Sequence, residues 1–197
     1  ADEEGPMLHD AVHLFDMFRF FAGDCTHVMG TALKRQLPFR VEDDAQMIFE
    51  FAGGTSAVAL SNELTRYSRF ELEIQGTEGI LVLKDAGHRL FGSEQLVSHR
   101  REPDPLIDWW GLKEQPFPNG YAYPNCPPAR PILWALQELV QILDKGGTPS
   151  STGEDGVASV EMVMGVYESE LRGNCRVALP LQNRQSQLYQ LREIGKL

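Results

Sequence analysis

The densest set of proton-moving groups lies near the start of the chain: His9, Asp10, His13 and Asp16. His9 and His13 are four apart and Asp16 follows three later, a spacing that lines them along one side of a helix. Imidazoles beside carboxylates suit general acid–base work, because histidine titrates near neutral pH. A plainer arrangement is open to the same residues, with His9 and Asp10 capping the helix and His13 a half-buried histidine whose hydrogen bonds are met. A metal reading competes with both. His9-Asp10-Ala11-Val12-His13 has the spacing of the zinc-protease HExxH helix with Asp in place of Glu, and His27 is available besides. No third ligand stands at a family spacing, so no metal site is expected.

These side chains need a helix, and the surrounding pattern supplies one. Val12, Phe15, Phe18 and Phe21 recur at helical spacing, which predicts a helix from Asp10 to Ala22 ended by Gly23-Asp24. Strands follow. Thr26 to Leu33, Ala45 to Phe51 and Thr55 to Leu64 are expected as strands, with Gly53-Gly54 as a hairpin turn. Asp43-Asp44 reads as a solvated turn. Phe70, Leu72 and Ile74 alternate with Glu71, Glu73 and Gln75, and Gly76 to Gly79 turns the chain into Ile80 to Leu83. Arg89 to Phe91 and Gln95 to His99 are further short strands. Such short connections require antiparallel neighbours.

From Asp104 to Pro131 the periodicity stops. Prolines interleave there with Trp109, Trp110, Phe117, Tyr121 and Tyr123, so 104–131 is expected as a loop. Its aromatic rings could stack on a sugar, or pack against their own domain or a neighbour. Pro131 suits a helix start, and Leu133, Leu136, Leu139, Val140 and Leu143 form its stripe up to Gly146-Gly147. Ser151 to Glu154 has capping-box spacing and opens a second helix to about Leu171, ended by Gly173. Arg176 to Leu179 reads as a last strand, and the tail as polar, with helical character. The class is α+β: a large, open, mostly antiparallel sheet with helices on one face.

Bulk properties narrow the function. The 197 residues suit one domain spanning 1–197, with 42% hydrophobic and 23% charged residues. A net charge of -10 opposes binding to nucleic acid or an anionic membrane. Cys25, Cys126 and Cys175 form no CxxC pair, which fits reduced thiols and a cytoplasmic location. No apolar run reaches the roughly 18 residues of a membrane span, and no signal peptide is evident. The chain opens on Ala1, which points to a processing site, a tag junction or a cut within a longer gene. No glycine-rich dinucleotide loop, phosphate loop or nucleophile elbow occurs in it.

Four stretches in order resemble the C-terminal domain of the Gfo/Idh/MocA oxidoreductases, typified by glucose–fructose oxidoreductase and inositol dehydrogenase. They are Met7–Asp24, Glu42–Glu63, Phe70–Leu83 and Ser151–Leu181. The resemblance covers the chain apart from 104–131. It implies an open antiparallel sheet whose bare face joins subunits into a homo-oligomer. It also implies hydride transfer between NAD or NADP and a sugar, cyclitol or related polyol. His13 matches the family's acid–base histidine. His9 stands where many members carry an acid, and Asp10 lies beside it. Asp16 matches a frequent acid of the same helix and reads as structural. Trp109, Trp110, Tyr121 and Tyr123 are the substrate-contact candidates. The nucleotide-binding Rossmann domain and its lysine are absent from these residues, so no cofactor is expected on this chain alone, nor activity without that domain. The alternative is a non-catalytic ligand-binding or assembly module of the same fold.

Overall fold

The computed structural model describes residues 4–64, 71–77, 79–85, 94–103, 110–115 and 131–197, with backbone alone for 83–85, 94–103, 110–115 and 131. A π-helical turn, Met7–Ala11, runs into α1 (Val12–Ala22). Then come β1 (Cys25–Leu33), β2 (Asp44–Phe51), β3 (Ser56–Asn62), β4 (Glu71–Gly76), β5 (Gly79–Asp85), β6 (Glu94–Pro103) and β7 (Trp110–Gln115). The last elements are α2 (Pro131–Lys145), α3 (Gly153–Leu171), β8 (Val177–Ala178) and α4 (Gln187–Glu193). The chain forms two compact units, one made of Ala1–Arg66 with Thr148–Leu197, the other of Tyr67–Gly147. Among the described residues no helix is long and apolar enough to cross a membrane.

The first unit holds an antiparallel sheet of order β3-β2-β1-β8 with helices on one side. Strand alternation divides its residues between two faces. Val28, Gly30 and Ala32 of β1 lie opposite Phe49, Met47 and Ala45 of β2, and all but Gly30 belong to the buried apolar core. Phe15 and Phe18 of α1 close over Phe49, with ring centroids 4.7 and 5.8 Å away. Against β1, α3 packs glycine to valine. A Cβ on Gly165 would lie 2.5 Å from Val28 Cγ1, and one on Gly30 would lie 3.2 Å from Val166 Cγ1. The missing side chains let helix and strand approach. The opposite face leaves Met29, Ile48, Val58 and Leu60 exposed.

β8 pairs with β1 only at His27 and Val28. Farther along, side chains of α3 take up the free amides of β1. Ser169 Oγ accepts from Gly30 N at 3.0 Å and Glu170 Oε2 from Ala32 N at 3.3 Å. The sheet edge therefore ends on hydrogen-bond acceptors and not on bare backbone.

The second unit contains a sheet of order β4-β5-β6-β7, antiparallel throughout. Leu72 and Ile74 of β4 are half-buried while Glu71 and Glu73 are exposed, the expected alternation. α2 opens on Pro131 and ends before Gly146, whose φ of 75° suits a residue without Cβ.

Three local expectations shift. Residues 110–115, within the stretch read as a loop, form β7 against β6; Leu112 to Gln115 carries no proline to interrupt the ladder. The capping box lies one residue later: Thr152 caps α3 and Asp155 returns the bond. Asp155 wins because it also meets Arg19 of α1, at 3.2 Å. Asp43 is fully buried and not in a solvated turn, while Asp44 begins β2. The expected strand Arg89 to Phe91 lies outside the described residues.

Candidate functional site

His9 and Asp10 sit in the π-helical turn, and His13 is the second residue of the α-helix that continues it. The helix therefore begins three residues before its expected start, at Met7. The Val12 N–H reaches back to the Met7 carbonyl, the i to i−5 bond of a π turn. Single π turns inside helices are rare and concentrate at functional sites. His9 Nδ1 lies 2.9 Å from Asp10 Oδ1, with 72% and 63% of the two side chains exposed. An ionised carboxylate only accepts, so Nδ1 donates and Nε2 is left free for another partner. His13 is exposed and makes no hydrogen bond or ion pair among the described residues. Asp16 accepts a hydrogen bond from Ser159 Oγ at 3.1 Å, which ties α1 to α3.

The start of this helix rests on a buried carboxyl that the sequence reading passed over. Pro6 at the N-cap provides no side-chain cap. Instead Glu42, 0% exposed, accepts from the Met7 N–H at 3.0 Å through Oε1 and from the Tyr167 hydroxyl at 2.8 Å through Oε2. Gly5 is required beside it, since a Cβ there would overlap the Glu42 carboxyl. Burial pushes the Glu42 carboxyl above its ordinary range, and the bonds from Met7 and Tyr167 offset only part of that. Burial, with the nearby Glu42 charge, drives the Tyr167 phenol well above its ordinary value, so it stays a donor.

The next residue secures the loop between β1 and β2. Asp43 accepts from the backbone N–H groups of Arg35, Gln36 and Leu37 at 2.6, 2.7 and 2.8 Å. Burial raises its pKa, but those amide bonds outweigh burial and leave the carboxyl below its ordinary value. Glu42 and Asp43 thus join the helix start, the loop and α3 at one end of the unit. An acidic pair directly before an alternating strand was the available signal. The partner Tyr167 lies 125 residues away, beyond the reach of any local sequence signal.

Of the other candidates, Trp110 opens β7, while Trp109, Tyr121 and Tyr123 lie outside the described residues. His27 belongs to a different cluster on β1, 3.9 Å from Glu50, which Arg176 grips through two bonds of 2.9 and 2.6 Å. Among the described residues no group of three His, Cys, Asp or Glu side chains could hold a metal ion. Burial pushes the Cys25 thiol up to about 11, away from the thiolate form. A cavity of about 150 Å³ lies between the end of α3 and residues 177–183, lined by Glu168, Arg172 and Pro180 among others.

Residues 1–82 match the family model of the GFO/IDH/MocA C-terminal domain. No curated protein matches the chain in sequence. Among solved structures it is similar to the WlbA dehydrogenase from Bordetella pertussis in complex with NADH and UDP-GlcNAcA. That likeness has 16% identity and a TM-score of 0.66 over 91% of this chain and 46% of that one. It is also similar to levoglucosan dehydrogenase in complex with NADH and levoglucosan, at 20% identity and a TM-score of 0.64, over 87% and 49%. A third is the aldose–aldose oxidoreductase from Caulobacter crescentus complexed with glycerol, at 18% identity and 0.62, over 88% and 47%. The chain spans about half the length of each. In sequence, then, the likeness to the GFO/IDH/MocA C-terminal domain spans residues 1–82, and the chain as a whole shares its fold with about half the length of each of these solved oxidoreductases.

Proposed function

We propose that residues 1–197 form the substrate-side and oligomerisation domain of an NAD(P)-dependent Gfo/Idh/MocA oxidoreductase acting on a sugar, cyclitol or related polyol. The observation that carries this reading is the family match across the π turn and α1, the segment that bears His9, Asp10 and His13. The solved relatives hold NADH beside a sugar nucleotide or levoglucosan. Both sheets are antiparallel among the described residues, unlike the parallel sheet of a dinucleotide-binding fold, which supports reading this chain as the substrate-side part. The nicotinamide, held elsewhere in the full-length protein, supplies the hydride chemistry.

This chain's part is proton transfer and orientation. His13, exposed and without a hydrogen-bond partner among the described residues, accepts the proton of the substrate hydroxyl in oxidation and returns it in reduction. His9, oriented by Asp10, offers its free Nε2 to a second hydroxyl. For Trp109, Trp110, Tyr121 and Tyr123 the proposed role is aromatic stacking on a sugar ring in the full-length protein. The exposed Met29, Ile48, Val58 and Leu60 make the bare sheet face the seat of a second copy, and the assembly is cytoplasmic.

The test is turnover of the full-length protein with NAD or NADP across a panel of sugars and cyclitols. His13→Ala should lower kcat about 10²- to 10⁴-fold with an unchanged melting temperature. Full turnover in that variant would remove His13 from the chemistry, and a full-length parent that turns over none of the panel would favour a module that binds or assembles without catalysing.

A further inference from the structure

The acid–base candidates stand on an irregular helix start, and irregular backbone persists only where its surroundings hold it. A π turn leaves one residue more in the loop of backbone than an α turn, so it changes the direction in which upstream side chains leave the helix. The segment Gly5 to Ala11 has no side-chain cap of its own. What holds it comes from outside: Glu42, on the β1–β2 loop, and behind Glu42 the hydroxyl of Tyr167, on α3. Both residues are completely buried, and the Glu42 carboxyl fills the space that a side chain at Gly5 would take. The Asp43 cradle of three amides fixes the backbone from which Glu42 projects. The clamp therefore has a rigid base, a defined length and one point of attachment, the Met7 N–H.

We propose that Glu42 and Tyr167 are positioning residues for the acid–base histidine. By fixing the Met7 amide they set the π turn, and through it the angle between the His9–Asp10 pair and His13. This inference rests on the role of His13 proposed above. Neither residue touches substrate; each acts through the helix start. A purely structural pair would stabilise the fold without affecting how the imidazoles are aimed.

The experiment compares Tyr167→Phe and Glu42→Gln with Val163→Ala, a fully buried α3 residue outside the clamp, in the full-length protein. Tyr167→Phe should lower kcat about tenfold or more, with KM nearly unchanged and a displaced pH profile of kcat, because small misplacements of a reacting group are costly. Val163→Ala should lower the melting temperature at least as far and leave kcat and its pH profile in place. Imidazole NMR signals of labelled histidines give a readout that needs no activity. Those of His9 and His13 should move in Tyr167→Phe, while that of His27, at the start of β1, stays fixed. If the signals of His9 and His13 and the pH profile stay as in the parent, the pair does not position them and the inference is overturned. Should Glu42→Gln fail to fold, Tyr167→Phe still decides. Failure of the acid–base reading shows separately, as full turnover in His13→Ala.

Discussion

Substituting Gly165 by Ala tests how closely α3 sits on the sheet. In an exposed helix the change would stabilise by about 1 kcal/mol, because Ala loses less backbone entropy than Gly. Here the new Cβ would lie 2.5 Å from Val28 Cγ1 and 3.1 Å from Leu179 Cδ2. Neither neighbour can retreat easily: Val28 is 1% exposed and β-branched, and its strand is paired on both sides. Overpacking of this kind costs about 1–3 kcal/mol. A 2.5 Å contact with a neighbour that cannot retreat belongs in the upper part of that range, about 2–3 kcal/mol, which leaves a net loss of about 1–2 kcal/mol. Val28→Ala alone should cost about 2 kcal/mol by opening a cavity. Combined, the two changes should cost at least 1 kcal/mol less than their sum, roughly the coupling expected of residues in contact. Tryptophan fluorescence is the wrong probe, since Trp109, Trp110 and Trp134 all fall within residues 67–147. Urea unfolding followed by hydrogen exchange of β1 and α3 reads the right unit. A Gly165→Ala protein as stable as the parent, or a double variant additive within about 0.5 kcal/mol, would refute the close-approach argument.

Two further substitutions probe other contacts. Asp43→Asn should cost about 3 kcal/mol at neutral pH, as three charge-assisted amide bonds weaken together. Because the folded pKa of Asp43 is depressed, its contribution is complete above the ordinary value of 3.8 and is lost as pH falls through the lower folded value. The gap between parent and variant should therefore close on acidification; a gap that widened in acid would contradict the assignment. Thr152→Ala removes the cap of α3 and should cost about 1 kcal/mol, read as faster exchange of the first helical turn against an unchanged β2.

How far the sequence alone reveals this arrangement depends on the range of each interaction. β1 to β3 were legible because alternation and the Gly53-Gly54 turn are local signals, and the structure places all three within two residues of expectation. The phenylalanine stripe of α1 was equally plain. The π turn was not: it adds a residue without a compositional mark, and the polar His9-Asp10 pair looked like a helix start when it is already inside one. Charge misled at Asp43, because an acidic residue normally seeks water and only the surrounding amides, invisible in a residue string, reverse that preference. His9, Asp10 and His13 could be found by spacing. The Glu42–Tyr167 support could not, since its halves meet only once α3 has folded back over the sheet.

The division of the chain has a consequence for its synthesis. Residues 67–147 form an uninterrupted unit, inserted into one whose own residues come from both sides of it. Chains emerge from the ribosome N-terminus first, and units fold as they become complete. The inserted unit is therefore whole while α1 and β1–β3 still await α3 and β8, and their apolar face, Phe15, Phe49 and Val28 included, stays uncovered for the time needed to add about eighty residues and more. Nascent chains stopped just after Gly147 should bind hydrophobic-surface chaperones through residues 1–66, and release them once α3 has been made.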